Sequence, residues 1–182
     1  MRCTIEASKL DKRGQEITKL LGPIVPNGQR LACWKRLLDR QVVLSAYLGP
    51  QPTSAELDRW RFTTKIPNIR ASYHEIWLQT DFRQVDFYLE RAYLHLYLRS
   101  DHNNEDEILA LHCDPNEARS ERHFLYKAGP HVHMMTAKNP LQHSHIALNN
   151  SNLTEVLSSV PNLTAALKTA IAMVDDQILK FF

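Results

Sequence analysis

The chain has 182 residues, 43% of them hydrophobic and 23% charged, with a net charge of +2. That length suits one domain burying roughly 70% of its unfolded surface, and the composition excludes a largely disordered chain. The small net charge excludes a global pull towards nucleic acid or an anionic membrane.

Charge is unevenly spread, with +6 over residues 1–65 and −4 over residues 66–182; a solvated basic helix face accounts for the excess as well as a partner would. Cys3, Cys33 and Cys113 stand far apart, with no Cys-x-x-Cys pair. This spacing excludes a disulfide scaffold and a cysteine-rich zinc finger, and fits a reducing compartment. Residues 1–16 lack an apolar signal core, and no apolar run reaches the length of a membrane span. The expected location is cytoplasmic, with no membrane association.

Ile5, Leu10, Ile17 and Leu21 fall near one face of a predicted first helix that Gly22-Pro23 stops. Leu31, Trp34, Leu38, Val42 and Ser45 predict a second helix, opened after Asn27-Gly28 and closed by Gly49-Pro50. Thr53 and Glu56 have capping-box spacing ahead of a short helix with Leu57 and Trp60, and residues 65–68 read as a loop.

From residue 70 the texture becomes β-branched and aromatic. Tyr73–Gln79 predicts a strand. Val85, Phe87 and Leu89 alternate in a second, and Leu94, Leu96 and Leu98 in a third of opposite parity. A bulge or turn near Glu90–Ala92 must therefore shift the register. A helical face through Phe82, Val85, Leu89, Ala92 and Leu96 is the rival, and aromatic enrichment favours strands. Asp101–Asp106 reads as a polar turn, Ile108–Cys113 as a short strand, and Asp114-Pro115-Asn116 as another turn. Phe124–Met135 and Gln142–Leu148 predict two strands around a turn at residues 138–140. Asn152 and Glu155 cap a short helix that Pro161 breaks. Asn162 then caps a last helix with Leu163, Leu167, Ala170, Ile171, Val174 and Ile178 on its apolar face.

The expected class is α+β: one domain over residues 1–182, with a helical region (1–65), an antiparallel sheet of about five strands (66–149) and C-terminal helices (150–182).

The most informative feature is a concentration of histidine. Six of the nine lie between residues 112 and 145, including two His-x-His motifs, His131-Val132-His133 and His143-Ser144-His145. Residues i and i+2 of a strand share a face, so each motif presents two imidazoles side by side. Pairing 133 with 143 and 131 with 145 would gather four imidazoles, leaving Val132, Met134, Ser144 and Ile146 towards the core; a one-residue slip would separate the pairs. On neighbouring strands, Arg91, Tyr93, His95, Tyr97 and Arg99 lie opposite the leucines, and His112 shares a face with Ile108, Ala110 and Asp114.

Four chemistries compete for this face. A divalent transition metal, zinc first, would take ligands from His131, His133, His143 and His145, with His112 and Asp114 as further ligands or their supports. Metal-free acid–base catalysis on a phosphodiester would divide the base and acid roles among the same four histidines. Arg91, Tyr93, His95, Tyr97 and Arg99, or Lys127, would then bind the substrate. Cysteine chemistry at Cys113 is disfavoured, because His112 points to the other face and Cys113 reads as a buried strand residue. An exposed histidine face contacting a protein partner is the non-catalytic reading. No phosphate-cradling glycine loop, Gly-x-Ser-x-Gly elbow, His-Glu-x-x-His or RNA-binding signature occurs. The expectation is a histidine-dependent hydrolase of a phosphodiester or nucleic-acid-type substrate, against a protein-interaction component of an intracellular assembly.

Overall fold

A nine-stranded antiparallel sheet organises the chain. The computed structural model describes residues 3–51, 60–79, 86–99, 104–115, 127–134, 144–148 and 152–181. In chain order these form β1 (Thr4–Glu6), α1 (Leu10–Leu20), β2 (Ala32–Leu38), β3 (Gln41–Tyr47), β4 (Phe62–Thr63) and β5 (Ile69–Gln79), then β6 (Asp86–Arg99), β7 (Glu105–Cys113), β8 (His131–Met134), β9 (Ser144–Ala147), α2 (Leu153–Val156) and α3 (Val160–Gln177). The sheet runs β2-β3-β5-β6-β7-β8-β9, with β4 added to β5 and β1 added to β6. The α+β expectation holds with more strands than expected, and the first 65 residues contribute four of them.

The predicted second helix is a hairpin. Leu31, Trp34 and Leu38 match helical spacing, but β2 and β3 pair from Ala32↔Tyr47 to Leu38↔Gln41 around Asp39-Arg40. Asp39 has φ of 31°, which a short polar side chain tolerates in a two-residue hairpin loop. Helical and strand periods cannot be told apart over so few apolar positions, and the turn decides. Ile5, assigned above to the first helix, is the middle residue of β1. The helix itself starts at Leu10 and ends before Gly22-Pro23, as expected.

The parity change in the middle of the chain is a bulge and not a turn, and the helical rival fails. Within β6, Leu89 opposes Trp77 and Arg91 opposes Ile76, so Glu90 is the extra residue. Phe87 and Leu89 before it and Ala92, Leu94 and Leu96 after it all reach the core. A second shift lies between β6 and β7, where Leu96 opposes Leu109 but Tyr97 opposes Glu107. The extra residue there is Ile108, which packs against the core rather than sharing a face with His112.

Helices α1 and α3 cover one sheet face, burying Ile17, Leu44, Trp77, Leu94, Leu111, Leu167 and Ile171. At roughly 1.5–3 kcal/mol per large apolar side chain, this burial is the main stabilising term. One ion pair sits inside it. Arg13 of α1 donates from Nε to Glu75 Oε2 at 3.0 Å and from an Nη nitrogen to Oε1 at 2.6 Å. Tyr73 and Trp77, two residues either side on the same face of β5, donate to the same carboxylate at 2.6 and 3.0 Å. Arg13 also donates to Thr164 of α3 at 2.5 Å. Both charges are fully buried, and four donors satisfy the carboxylate, which offsets the desolvation cost. Burial, and then the Glu75 charge, push the Cys3 and Cys33 thiols up to about 12.

At the C-terminal end, Asn152 precedes α2 without a side-chain cap. Pro161 does not break a helix. It occupies the first turn of α3, where its missing N–H costs nothing, and the cap is Ser159, whose Oγ accepts from the Asn162 N–H. The capping-box segment at 53–57 and the turn at 138–140 lie outside the described residues. Trp60, expected in the short helix, is irregular in backbone and stacks on Trp34 at 4.5 Å. No helix of the described residues is long and apolar enough to cross a membrane.

Candidate functional site

The sheet face away from α1 and α3 carries the histidines. Cross-strand register sets them in two rows. One runs His74, Tyr93, His112 and His131 from β5 to β8; the next runs Ser72, His95, Ala110, His133 and His145 from β5 to β9. Period-2 alternation does this work, since β5, β6, β7 and β8 send intervening residues such as Tyr73, Leu94, Leu111 and Val132 to the core. The rows are in contact. Tyr93 stacks on His112 with ring centroids 3.7 Å apart, and His112 lies 4.2 Å from His133 and 4.9 Å from His95. His74 packs edge-on to Tyr93 at 5.5 Å.

Three of these imidazoles converge. One ring nitrogen from each of His112, His131 and His133 lies within 4.8 Å of the others. His131 is fully buried, and its Nδ1 is 2.9 Å from the Gly129 carbonyl oxygen. A carbonyl only accepts, so Nδ1 carries the proton and Nε2 holds the lone pair. That Nε2 lies 2.9 Å from His133 Nε2 and 3.7 Å from Asp114 Oδ2. The same Asp114 oxygen is 4.0 Å from His112 Nδ1.

Asp114 is buried and directly follows β7, beside this cluster. Burial, and then the neighbouring His133, His95, His131 and His74, push His112 down to about 2. It is therefore a neutral imidazole at physiological pH, the form that ligates metals. Two nitrogens bound tetrahedrally at about 2.0–2.1 Å from zinc stand about 3.3 Å apart. The His131–His133 pair would open by only a few tenths of an ångström to reach that spacing.

The face continues beyond the imidazoles. Tyr97 follows His95 at 6.1 Å, and the Arg61 guanidinium lies 3.8 Å over the Tyr97 ring. Arg61 and Arg70 share Glu105. On the other side, the Arg91 guanidinium lies 5.5 Å over the Tyr93 ring. The ring pairs contribute about 0.5–1.5 kcal/mol each beyond their area, and the cation–π contacts about 0.5–1 kcal/mol each.

Of the residues expected from sequence, His112, Asp114, His131, His133, Tyr93, His95, Tyr97 and Arg91 come together on this face. Arg99 is exposed at the end of β6. The assumed hairpin register is off by two residues: His133 opposes His145 and His131 opposes Ala147. A shift of two keeps parity, so His145 remains on the histidine row by backbone position. His143 and the side chains of His145, Met134 and Ser144 lie outside the described residues. Val132 is buried as expected, whereas Ile146, expected in the core, is 48% exposed on the last strand of the sheet.

Cys113 is buried, and its thiol donates to the Ala128 carbonyl at 3.3 Å. Burial and then Asp114 hold that thiol well above its ordinary range, so it is no nucleophile.

Among the described residues, His74 and Glu107 belong to this face and are absent from the expectations above. His74 lies in the strand predicted over Tyr73–Gln79, where its alternation with Tyr73, Glu75 and Trp77 was available. Glu107 sits 2.7 Å from His95 Nδ1 and reaches this face only because of the bulge at Ile108. Comparison of the chain with protein-family models, curated proteins and solved structures finds no match.

Proposed function

We propose that this protein is a metal-assisted hydrolase centred on His112, His131 and His133. The carrying observation is the convergence of three imidazole nitrogens within 4.8 Å beside the Asp114 carboxylate. Three protein ligands with a further position for water or substrate is the catalytic pattern of zinc and related divalent ions. Asp114 supports that set from its rim, as carboxylates next to ligating histidines do.

The substrate class is an anionic ester, a phosphodiester first. Arg91 lies one ring away from the centre, over Tyr93. A cation there favours an anion. In the reaction, water oxygen bonds to phosphorus, the ester P–O bond breaks, and the proton released by water ends on the leaving oxygen. An ion held by His112, His131 and His133 would supply Lewis acidity and lower the pKa of the attacking water.

The test is metal content by mass spectrometry on untagged protein purified without chelator, with hydrolysis of bis(p-nitrophenyl) phosphate followed in parallel. About one Zn, Mn, Fe or Ni per chain and turnover are expected, both lost in His133→Ala. A metal-loaded protein without turnover on any phosphodiester reduces the centre to a structural one. No metal after reconstitution removes it.

A second reading rests on the sheet ends. Leu37 on β2 is 72% exposed and Ile146 on β9 is 48% exposed. Apolar side chains on outer strands suit addition of a partner. A stable complex from the native host, lost in Leu37→Lys or Ile146→Lys, would carry that reading.

A further inference from the structure

On the reading that His112 ligates a metal, we infer that Glu107 and His95 are its positioning residues: they fix His112 in the tautomer protonated on Nε2 and leave Nδ1 to ligate. The contacts run from β7 to β6 and back. Glu107 Oε2 lies 2.7 Å from His95 Nδ1. A carboxylate only accepts, so the His95 proton sits on Nδ1. His95 Nε2 then presents a lone pair to His112 Nε2 at 3.2 Å, and His112 donates there. The ring nitrogen left over, Nδ1, is the one that shares Asp114 Oδ2 with His131 Nε2. His131 reaches the matching state by a different route, through the Gly129 carbonyl.

The backbone is built for this. Residues 109, 111 and 113 of β7 face the core, and unbroken alternation would send Glu107 there too. The extra residue at Ile108 reverses the parity and brings a carboxylate onto the imidazole face. A half-buried carboxylate behind a histidine behind a ligand raises ligand basicity and fixes ring orientation, and losing such a partner typically weakens metal binding about 10–100-fold.

Long-range ¹H–¹⁵N spectra of histidine-labelled, metal-free wild type at pH 7.5 test the tautomers directly, and calorimetric Zn²⁺ titration tests their purpose. His112 protonated on Nε2 and His95 on Nδ1 are expected. His95→Ala and Glu107→Ala should each raise the Zn²⁺ Kd about 10–100-fold, and His95→Gln, which keeps an acceptor beside His112 Nε2, should recover most of the loss. His112 protonated on Nδ1 in the wild type overturns the inference, with no variant needed. Zn²⁺ bound by wild type, lost in His133→Ala and unchanged in His95→Ala and Glu107→Ala, overturns the relay alone. No Zn²⁺ uptake by wild type overturns the metal centre, and the relay as its support.

Discussion

At the scale of single residues, protonation of His112 works against the fold. Its pKa falls from 6.5 in the unfolded chain to about 2 in the folded one, so between those values the unfolded state binds more protons. Stability is therefore full above pH 6.5 and declines as pH falls towards 2, by about tenfold in the folding constant per pH unit from this group alone. Urea titrations of metal-free protein at pH 7, 6 and 5 should show this decline, and His112→Gln should flatten it. An equal slope in that variant would assign the effect to other groups.

His133 differs, being half-buried and near the end of β8. His133→Ala should abolish stoichiometric metal uptake while moving the metal-free Tm by only a few degrees. A variant that unfolds instead would make the ring a packing element. Much of this chemistry was legible, because His-x-His in a strand has one meaning for side-chain direction. Glu107 was not, because its direction depends on a bulge that leaves no mark in the residue pattern.

At the scale of elements, the strands with long alternating runs were readable and the short ones were not. β5 and β6 declared themselves through Tyr73–Gln79 and Leu94–Leu98, and the parity break announced Glu90. The β2–β3 hairpin was disguised, since Trp34, Leu38 and Val42 satisfy a helical period while Asp39-Arg40 is an inconspicuous turn. β5 also carries two opposed roles one residue apart. Glu75 faces α1 and anchors Arg13, and His74 faces the imidazoles. Arg13→Met should destabilise the fold by about 3–5 kcal/mol by leaving Glu75 buried and unpaired. Arg13→Met with Glu75→Leu should recover most of that in urea unfolding. Wild-type stability in the single variant would mean that water or another cation reaches Glu75.

At the scale of the whole molecule, the sheet separates two environments. One face is an apolar core closed by α1 and α3. The other is an aromatic and imidazole surface whose members hold each other by ring contacts. A ligand bound to the second face and absent from the unfolded chain adds to the stability of the first. Zn²⁺ at about 100 times its Kd should stabilise by about 2.7 kcal/mol, raising Tm by about 5–10 °C. A chelator should reverse the shift, and His131→Ala should show none; a shift that survives in that variant would place the ion elsewhere. The α+β class and the helices α1 and α3 followed from texture alone, whereas the number of strands did not, because β1 and β4 have three and two residues and the β2–β3 hairpin mimics a helical period.

The Arg13–Thr164 hydrogen bond has a consequence in time. Its partners are 151 residues apart, so at about 5–20 residues per second a ribosome takes roughly 8–30 s to deliver the second after the first. Through that interval the α1 guanidinium has no α3 to close over it, and the apolar side of the growing sheet stays wet. The nascent chain thus keeps apolar sheet surface uncovered until α3 is made, a surface open to misassociation through that interval.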